Sequence, residues 1–516
     1  MKNRICSVGL ILGLCFWLGV SGLAQTKSSN PPNILYILAD DMGLGDVSCM
    51  NSNSAWKTPH LDQLARAGRV FTDAHSASGV CTPSRYALLT GRYSWRGALK
   101  SSVLHGYDKS LIEKGRLTVP ALLRSQGYAT AMVGKWHLGL DWVRAGSKLE
   151  AVDYTKPFQG GPVAHGFDSF FGISASLDMP PYVYLENDRA RGSASERVGD
   201  SPKPKMWRAG AIAQDFKHQD VQPLLFQKSR EFLTARAGSK DKKPFFLYLA
   251  LASPHTPIIP TKEFEGKTKT TPYGDFVAQL DQELGTLLAD LDRLGFAKDT
   301  LVIFTADNGF APAANLEELR ALKHEPSLIY RGHKADLFEG GHRVPFIARW
   351  PGIIPASTHC KETIGHLDLL ATCAEILGVQ LPPSAGEDSV SILSLLKGGI
   401  SLSPERAGLV HHSNNGSFAF RQGQWKLFTV PDSGGWSSPK PGQAEAATLP
   451  RFQLYDLASD PSEKRNLQAA HPEIVQQMGR LLSQIIERGR TTPGSPQATD
   501  RTVPWTQTGW MKEFAK

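Results

Sequence analysis

The chain has 516 residues, 41% of them hydrophobic and 21% charged, which excludes a disordered protein and leaves room for one large α/β domain plus a smaller one. Its net charge of +8, which becomes +6 without Lys2 and Arg4, suits an anionic substrate. No Lys/Arg run with interleaved aromatics occurs, so a nucleic-acid partner is not expected.

At the N-terminus, Lys2 and Arg4 precede an apolar stretch from Val8 to Val20, and Gly22-Leu23-Ala24 supplies the small residues that a signal peptidase reads. Residues 1–24 are therefore expected to be a cleaved export signal, and the mature protein to be periplasmic or secreted. The apolar run is shorter than the ~20 residues of a spanning helix, and no later stretch is long enough, so no transmembrane anchor is expected. Cys15 sits too early, in a poor lipobox, to mark a lipoprotein. Export leaves Cys49, Cys81, Cys360 and Cys373, too few for a disulfide scaffold in so long a chain. A Cys360–Cys373 pair is left open, and Cys49 is expected to be buried or free.

The first expected strand, 33–39, is a near-continuous apolar run of the kind buried on both faces of a parallel sheet, and it stops at Asp40-Asp41-Met42-Gly43. Next comes Cys81-Thr82-Pro83-Ser84-Arg85, followed by Leu88-Leu89-Thr90-Gly91-Arg92. A helix turning at Pro83 puts residues 81 and 85 on one face, and a helix N-terminus favours an anion there. Strand 129–133 stops at Gly134-Lys135-Trp136-His137-Leu138-Gly139, and strand 245–250 at Ser253-Pro254-His255. Over 275–294, Phe276, Leu280, Leu284, Leu287, Leu288 and Leu291 recur near helical spacing. Strand 301–305 stops at Asp307-Asn308-Gly309, and Lys334 opens a block that ends Glu339-Gly340-Gly341-His342-Arg343-Val344-Pro345.

Pro382-Pro383, Gly398-Gly399 and the stretch from Ser401 to Pro404 loosen the pattern, so a boundary is expected near residue 400. The domains are then 31–400 and 401–516. Beyond the boundary, short alternating runs at 418–421, 425–428 and 453–457 precede an amphipathic stripe of Ile474, Met478, Leu481 and Ile485, widened by Val475, Leu482 and Ile486. This predicts a helix packed on a small antiparallel sheet.

Open parallel sheets bind ligands at the carboxyl ends of their strands. If the four long strands lie parallel in one sheet, Asp40, Asp41, Lys135, His137, His255, Asp307 and Asn308 converge on one crevice. Carboxylates and an amide oxygen are hard donors, suited to Ca²⁺ or Mg²⁺ and poorly suited to copper or iron.

The C-x-P-x-R run at Cys81 with its downstream L-T-G-R resembles the signature of type I sulfatases, in the alkaline phosphatase superfamily. The G-K-W-H-L-G block, the K-x-x-x-x-E-G-G-x-R-V-P block at Lys334 and a late L-Y-D-L-x-x-D-P-x-E run extend the resemblance from about Pro31 to about Arg488. It implies an alkaline-phosphatase-like α/β fold: a large mixed, mostly parallel sheet flanked by helices, with a smaller C-terminal antiparallel sheet and helix. It implies that a maturation enzyme oxidises Cys81 to formylglycine, whose hydrate is the nucleophile. Asp40, Asp41, Asp307 and Asn308 then match the four oxygen donors of a calcium site, with residue 81 beside the metal. Arg85 orients the hydrate, Lys135, His255 and Lys334 contact the sulfate, and His137 is the base for the hydrate. Glu339 and Arg343 are assigned to fixing their turn.

The expected function is hydrolysis of a sulfate monoester, with a sulfated carbohydrate as substrate. Two alternatives stand beside it: a phosphomonoester or phosphonate hydrolase of the same superfamily, and a secreted calcium- or carbohydrate-binding protein without turnover. Selectivity for the leaving group is expected from loops outside the shared motifs, where His105, His165, Asp178, Tyr182, Asn187, Asp188, Arg189, His411, His412 and Asn414 are the polar candidates.

Overall fold

The structure, a computed structural model, describes residues 31–203, 205–402 and 406–515, so the expected export signal lies outside the described residues. Among the described residues, no helix is long and apolar enough to cross a membrane.

Strand Asn33–Asp40 is buried along its whole length, as is Phe245–Pro254, and both sit in the middle of a ten-stranded sheet. Uniform apolar runs form such strands because neither face meets water. Asn33–Asp40 pairs in parallel with Phe245–Pro254 on one side and with Thr300–Ala306 on the other. Phe245–Pro254 pairs in parallel with Ala129–Lys135, which pairs in parallel with Ser169–Ile173. The four strands expected from the sequence are thus parallel and adjacent, and a fifth joins them.

Short strands complete the sheet. Phe346–Arg349 runs antiparallel to Thr300–Ala306 and to Arg69–Phe71, which pairs in parallel with Thr358–Cys360. At the far edge, Leu185–Glu186 and Arg189–Ala190 form an antiparallel hairpin against Ser169–Ile173.

Helix Pro272–Arg293 contacts strand Phe245–Pro254 and helix Val221–Gly238. Its stripe of Phe276, Leu280, Leu284, Leu287 and Leu291 is buried. The Thr271 hydroxyl accepts the Gly274 N–H at 3.1 Å and Pro272 occupies the first turn, which is why the helix begins three residues before its apolar stripe suggested.

Near the C-terminus, Leu409–His412, Phe418–Gln422, Trp425–Phe428 and Gln453–Asp456 form a four-stranded antiparallel sheet. Helix Pro472–Arg488 packs on it, burying Val475, Met478, Leu482, Ile485 and Ile486. These side chains share one apolar cluster with Ala77, Ala87, Tyr93 and Trp95, which flank or lie on helix Cys81–Thr90.

One buried ion pair reinforces that contact. Arg96 donates from Nε to Asp388 Oδ2 and from its terminal nitrogen to Oδ1, both at 2.8 Å, and both side chains are fully buried. Asp388 also accepts the N–H groups of Tyr93 and Thr491. Removing one partner of such a pair strands a charge in low dielectric. Asp388→Ala is expected to destabilise the fold by about 3–5 kcal/mol, measurable as a shift of the urea midpoint. A loss below about 1 kcal/mol would mean that Arg96 reaches water.

The structure shows Cys360 and Cys373 as free, buried thiols rather than a disulfide. Cys49 is likewise free, and exposed.

Candidate active site

The sheet register brings the site together. Ala39 faces Ala306, and the Asp307 N–H donates to the Ala39 carbonyl at 3.0 Å, so Asp40 and Asp307 leave the sheet side by side. Asp307 Oδ1 in turn accepts the Asp41 N–H at 3.2 Å. Asn308 Nδ2 donates to Asp41 Oδ1 at 2.7 Å. On the other side Ala250 faces Gly134, so Lys135, the last residue of its strand, and His255, just past the end of the next, lie at the same edge of the sheet.

Asp41 and His137 both hold left-handed backbone, with φ of 62° and 57°. That conformation costs a non-glycine residue of order 1 kcal/mol or more, and such strain is common where a chain must aim a side chain at a site.

Helix Cys81–Thr90 begins at Cys81 itself, two residues earlier than Pro83 suggested. The Ala335 N–H donates to the Gly79 carbonyl at 2.7 Å, which draws the Lys334 segment beside the start of that helix. One ligand atom from each of Asp40, Asp41, Cys81 and His255 then lies within 4.8 Å of the others. All ten residues assigned to the site from the sequence are buried.

Three cations balance three carboxylates. Lys135 Nζ donates to Asp40 Oδ2 at 2.5 Å, and Lys334 Nζ to Asp41 Oδ2 at 2.7 Å. Arg85 Nε donates to Asp307 Oδ2 at 2.9 Å, and its terminal nitrogens reach the Lys135 carbonyl and, at 3.6 Å, Asp40 Oδ2. Arg85 is thus engaged with a carboxylate rather than with the group at position 81. His255 Nε2 lies 3.4 Å from Asp41 Oδ2, which places it among the possible metal ligands as well as beside the anion site.

Burial opposes ionisation of Asp40, but Lys135, His255, Arg85 and Lys334 outweigh it and hold the carboxyl well below the ordinary range. Asp307 is pushed up to about 6 by burial and by the neighbouring Asp40 charge. Burial also pushes the Cys81 thiol up to about 12.

His137 Nε2 lies 2.7 Å from the Leu104 carbonyl, which can only accept, so Nε2 carries the proton. Its lone pair is on Nδ1, which is buried and has no hydrogen-bond partner among the described residues. Burial, then Lys135 and Arg85, keep the ring well below the usual histidine range and therefore neutral.

The residues fit a hard cation. Asp40 Oδ1 and Asn308 Oδ1 are buried oxygens with no hydrogen-bond partner among the described residues. Leaving a buried acceptor unpaired costs of order 1–3 kcal/mol, and a bound cation would satisfy both. Oxygen donors from Asp40, Asp41, Asp307 and Asn308 suit Ca²⁺ or Mg²⁺.

Ser176 was not singled out from the sequence. Its hydroxyl accepts from Lys135 Nζ at 2.6 Å and so helps aim the ammonium. It follows the end of strand Ser169–Ile173, so the end-of-strand rule would have found it had that short strand been recognised. Among the loop candidates, His411 and His412 are 0% and 2% exposed and belong to strand Leu409–His412 rather than to a loop. Glu339 and Arg343 do hold their turn together, at 2.8 Å.

A family model described as Sulfatase matches residues 32–379. An N-acetylgalactosamine-6-O-sulfatase of Bacteroides thetaiotaomicron is 33% identical over 531 residues, covering 95% of this chain and 100% of that one. Human arylsulfatase A is 34% identical over 479 residues, covering 89% and 88% of the two chains. A solved Bacteroides thetaiotaomicron structure, described within the metabolism of multiple glycosaminoglycans, superposes with a TM-score of 0.76 at 32% identity, covering 89% of this chain and 100% of that one. A Pseudoalteromonas sulfatase shares the fold at a TM-score of 0.68 and 23% identity, covering 90% and 92%.

Proposed function

The chain belongs to the sulfatase family, and from that premise we propose that it removes sulfate from a sulfated carbohydrate, using a formylglycine made from Cys81 and one Ca²⁺. The observation that carries the reading is the meeting of Asp40, Asp41, Cys81 and His255 within 4.8 Å, ringed by Lys135, Lys334 and Arg85. An anion the size of sulfate would there face several cationic groups at once. The carbohydrate follows the N-acetylgalactosamine-6-O-sulfatase at 33% identity.

In this reading Asp40, Asp41, Asp307 and Asn308 would hold the calcium ion, whose positive charge would offset the negative charge that builds on the sulfate oxygens. A hydrated formylglycine at position 81 would supply two hydroxyls, one that bonds to sulfur as its proton passes to a carboxylate of the metal site, and one through which sulfate is later released. Lys135, Lys334 and His255 bind the sulfate oxygens, and Ser176 fixes the Lys135 ammonium. Arg85, four residues after position 81 on the same helix and bonded to Asp307, would orient the nucleophile through that metal-site carboxylate. Lys334 or His255 protonates the alcohol oxygen as its bond to sulfur breaks. His137, neutral and with Nδ1 free, then takes the proton of the second hydroxyl, so that sulfate leaves and the carbonyl re-forms.

The N-terminal segment would export the protein to the periplasm or medium, where it would act after a maturation enzyme had oxidised Cys81. Residues 31–400 would form the catalytic domain and 401–516 the smaller subdomain.

The test is release of inorganic sulfate from a panel of sulfated saccharides, set against aryl sulfates and aryl phosphates. Preference for a saccharide sulfate supports the reading, and faster cleavage of phosphate esters than of any sulfate refutes it. His137→Ala is expected to retain its circular dichroism spectrum and to lose about 100-fold or more in turnover. Normal turnover in that variant would remove His137 from the base role.

A further inference from the structure

Beside the sulfate site lies a second cleft of about 900 Å³, within the range of small-molecule pockets. Its inner wall is formed by the residues next to the site itself. Phe310 follows Asn308 by two residues, and its carbonyl accepts the Lys334 N–H at 3.0 Å. His333 sets its ring edge against Phe310, with centroids 6.0 Å apart.

The outer wall comes from the C-terminal part of the chain and is tied to the Lys334 segment by one carboxylate. Asp336, fully buried, accepts the N–H groups of Trp436 and Ser437 on Oδ1, at 2.7 and 3.0 Å, and the His333 N–H on Oδ2 at 3.0 Å. The loop approaches so closely that a Cβ on Gly435 would meet the Ala335 carbonyl carbon at 2.4 Å. Trp436 is held at the rim with 42% of its surface exposed. A large aromatic fixed by its backbone yet open to water is a ready surface for stacking.

The charge of the cleft is one-sided. Its lining contains a single carboxylate, Glu325, and Arg320 pairs with it at 3.0 Å. Arg331 donates to the carbonyls of Glu463 and Ser438, which leave its charge unneutralised. Lys440 and Lys464 make no ion pair among the described residues. Three cations therefore lack a carboxylate partner, Arg331 lying over the Phe338 ring at 3.9 Å and the two lysines standing exposed.

We propose that this cleft is a subsite for an anionic sugar linked to the one whose sulfate is cleaved, with Trp436 stacking on the ring and Arg331, Lys440 and Lys464 facing its carboxylate or second sulfate. The inference rests on the carbohydrate sulfatase reading and narrows it to an acidic oligosaccharide. Phe310 and His333 of the cleft stand two residues from Asn308 and one residue from Lys334, which sets the cleft next to the sulfate site.

The test compares kcat/KM on a sulfated hexosamine monosaccharide with that on a tetrasaccharide of alternating sulfated hexosamine and uronate. Wild type is measured first: no sulfate release from either saccharide overturns the functional reading itself, apart from the subsite. Given turnover, Trp436→Ala and the Lys440→Ala/Lys464→Ala pair are each expected to lower the ratio of tetrasaccharide to monosaccharide kcat/KM by at least tenfold. The wild-type ratio is expected to fall with added salt, and less steeply in the lysine pair. Ratios within twofold of wild type in both variants would overturn the subsite, as would a wild type that prefers the monosaccharide. All three residues are exposed, so the variants are expected to fold.

Discussion

Cys81→Ala is expected to fold and to lose essentially all turnover. Removing the nucleophile of a serine hydrolase costs roughly 10⁶-fold in kcat, and a loss on that scale is the expected result here. The two effects separate because Cys81 sits buried at the start of helix Cys81–Thr90, where replacing sulfur with hydrogen leaves a cavity of one atom. That costs about 1 kcal/mol, far from enough to unfold a domain of this size. Peptide mass spectrometry of active wild-type protein is expected to show an aldehyde at position 81. Full activity with an intact thiol there would sink the mechanism, whatever the variant does.

Asp307→Ala is expected to cost both activity and stability. Asp307 Oδ2 accepts from Arg85 Nε at 2.9 Å, and Oδ1 holds the Asp41 N–H, so one carboxylate locks two other site residues. Without it, Arg85 keeps Asp40 at 3.6 Å and two backbone carbonyls, and it has no exposure to water. A buried charge left short of its partner costs about 3–5 kcal/mol, to be read from chemical denaturation.

The same variant probes the cation. If Ca²⁺ binds the folded state at this site, wild-type protein gains about 2.7 kcal/mol at a free concentration of 100 times Kd. Its thermal midpoint is therefore expected to rise with added Ca²⁺ and to fall with a chelator. The midpoint of Asp307→Ala is expected to stay flat in both. A wild-type midpoint indifferent to divalent ions would remove the metal from the proposal, because this readout does not depend on turnover.

The parallel block was legible because its strands are uniform apolar runs that end abruptly in ionisable residues. The short strands were not. Arg69–Phe71, Thr358–Cys360 and Phe346–Arg349 span only three or four residues, too few for a periodic signal, and exist because the long strands offer them an edge. Ser176 was missed for the same reason, since it follows a strand of five residues whose first position is exposed. His411 and His412 looked like loop residues because a polar pair beside Ser413 and Asn414 reads as a turn. They belong to the edge strand of the antiparallel sheet, where only packing could reveal their burial.

By itself the sequence determined the chemistry at hand: which strand ends carry carboxylates, which carry a lysine or histidine, and that a cysteine stands four residues before an arginine around the start of a helix. Those features are local, and local spacing is what a chain records directly. The tertiary structure alone decided the pairings, Lys135 with Asp40, Lys334 with Asp41 and Arg85 with Asp307, across separations of 95, 293 and 222 residues. Strands buried on both faces have no polar side to mark register, so their runs cannot say which neighbour each will take. The order of Thr300–Ala306, Asn33–Asp40, Phe245–Pro254 and Ala129–Lys135 comes from long crossovers and shared packing, and that order sets the charges side by side.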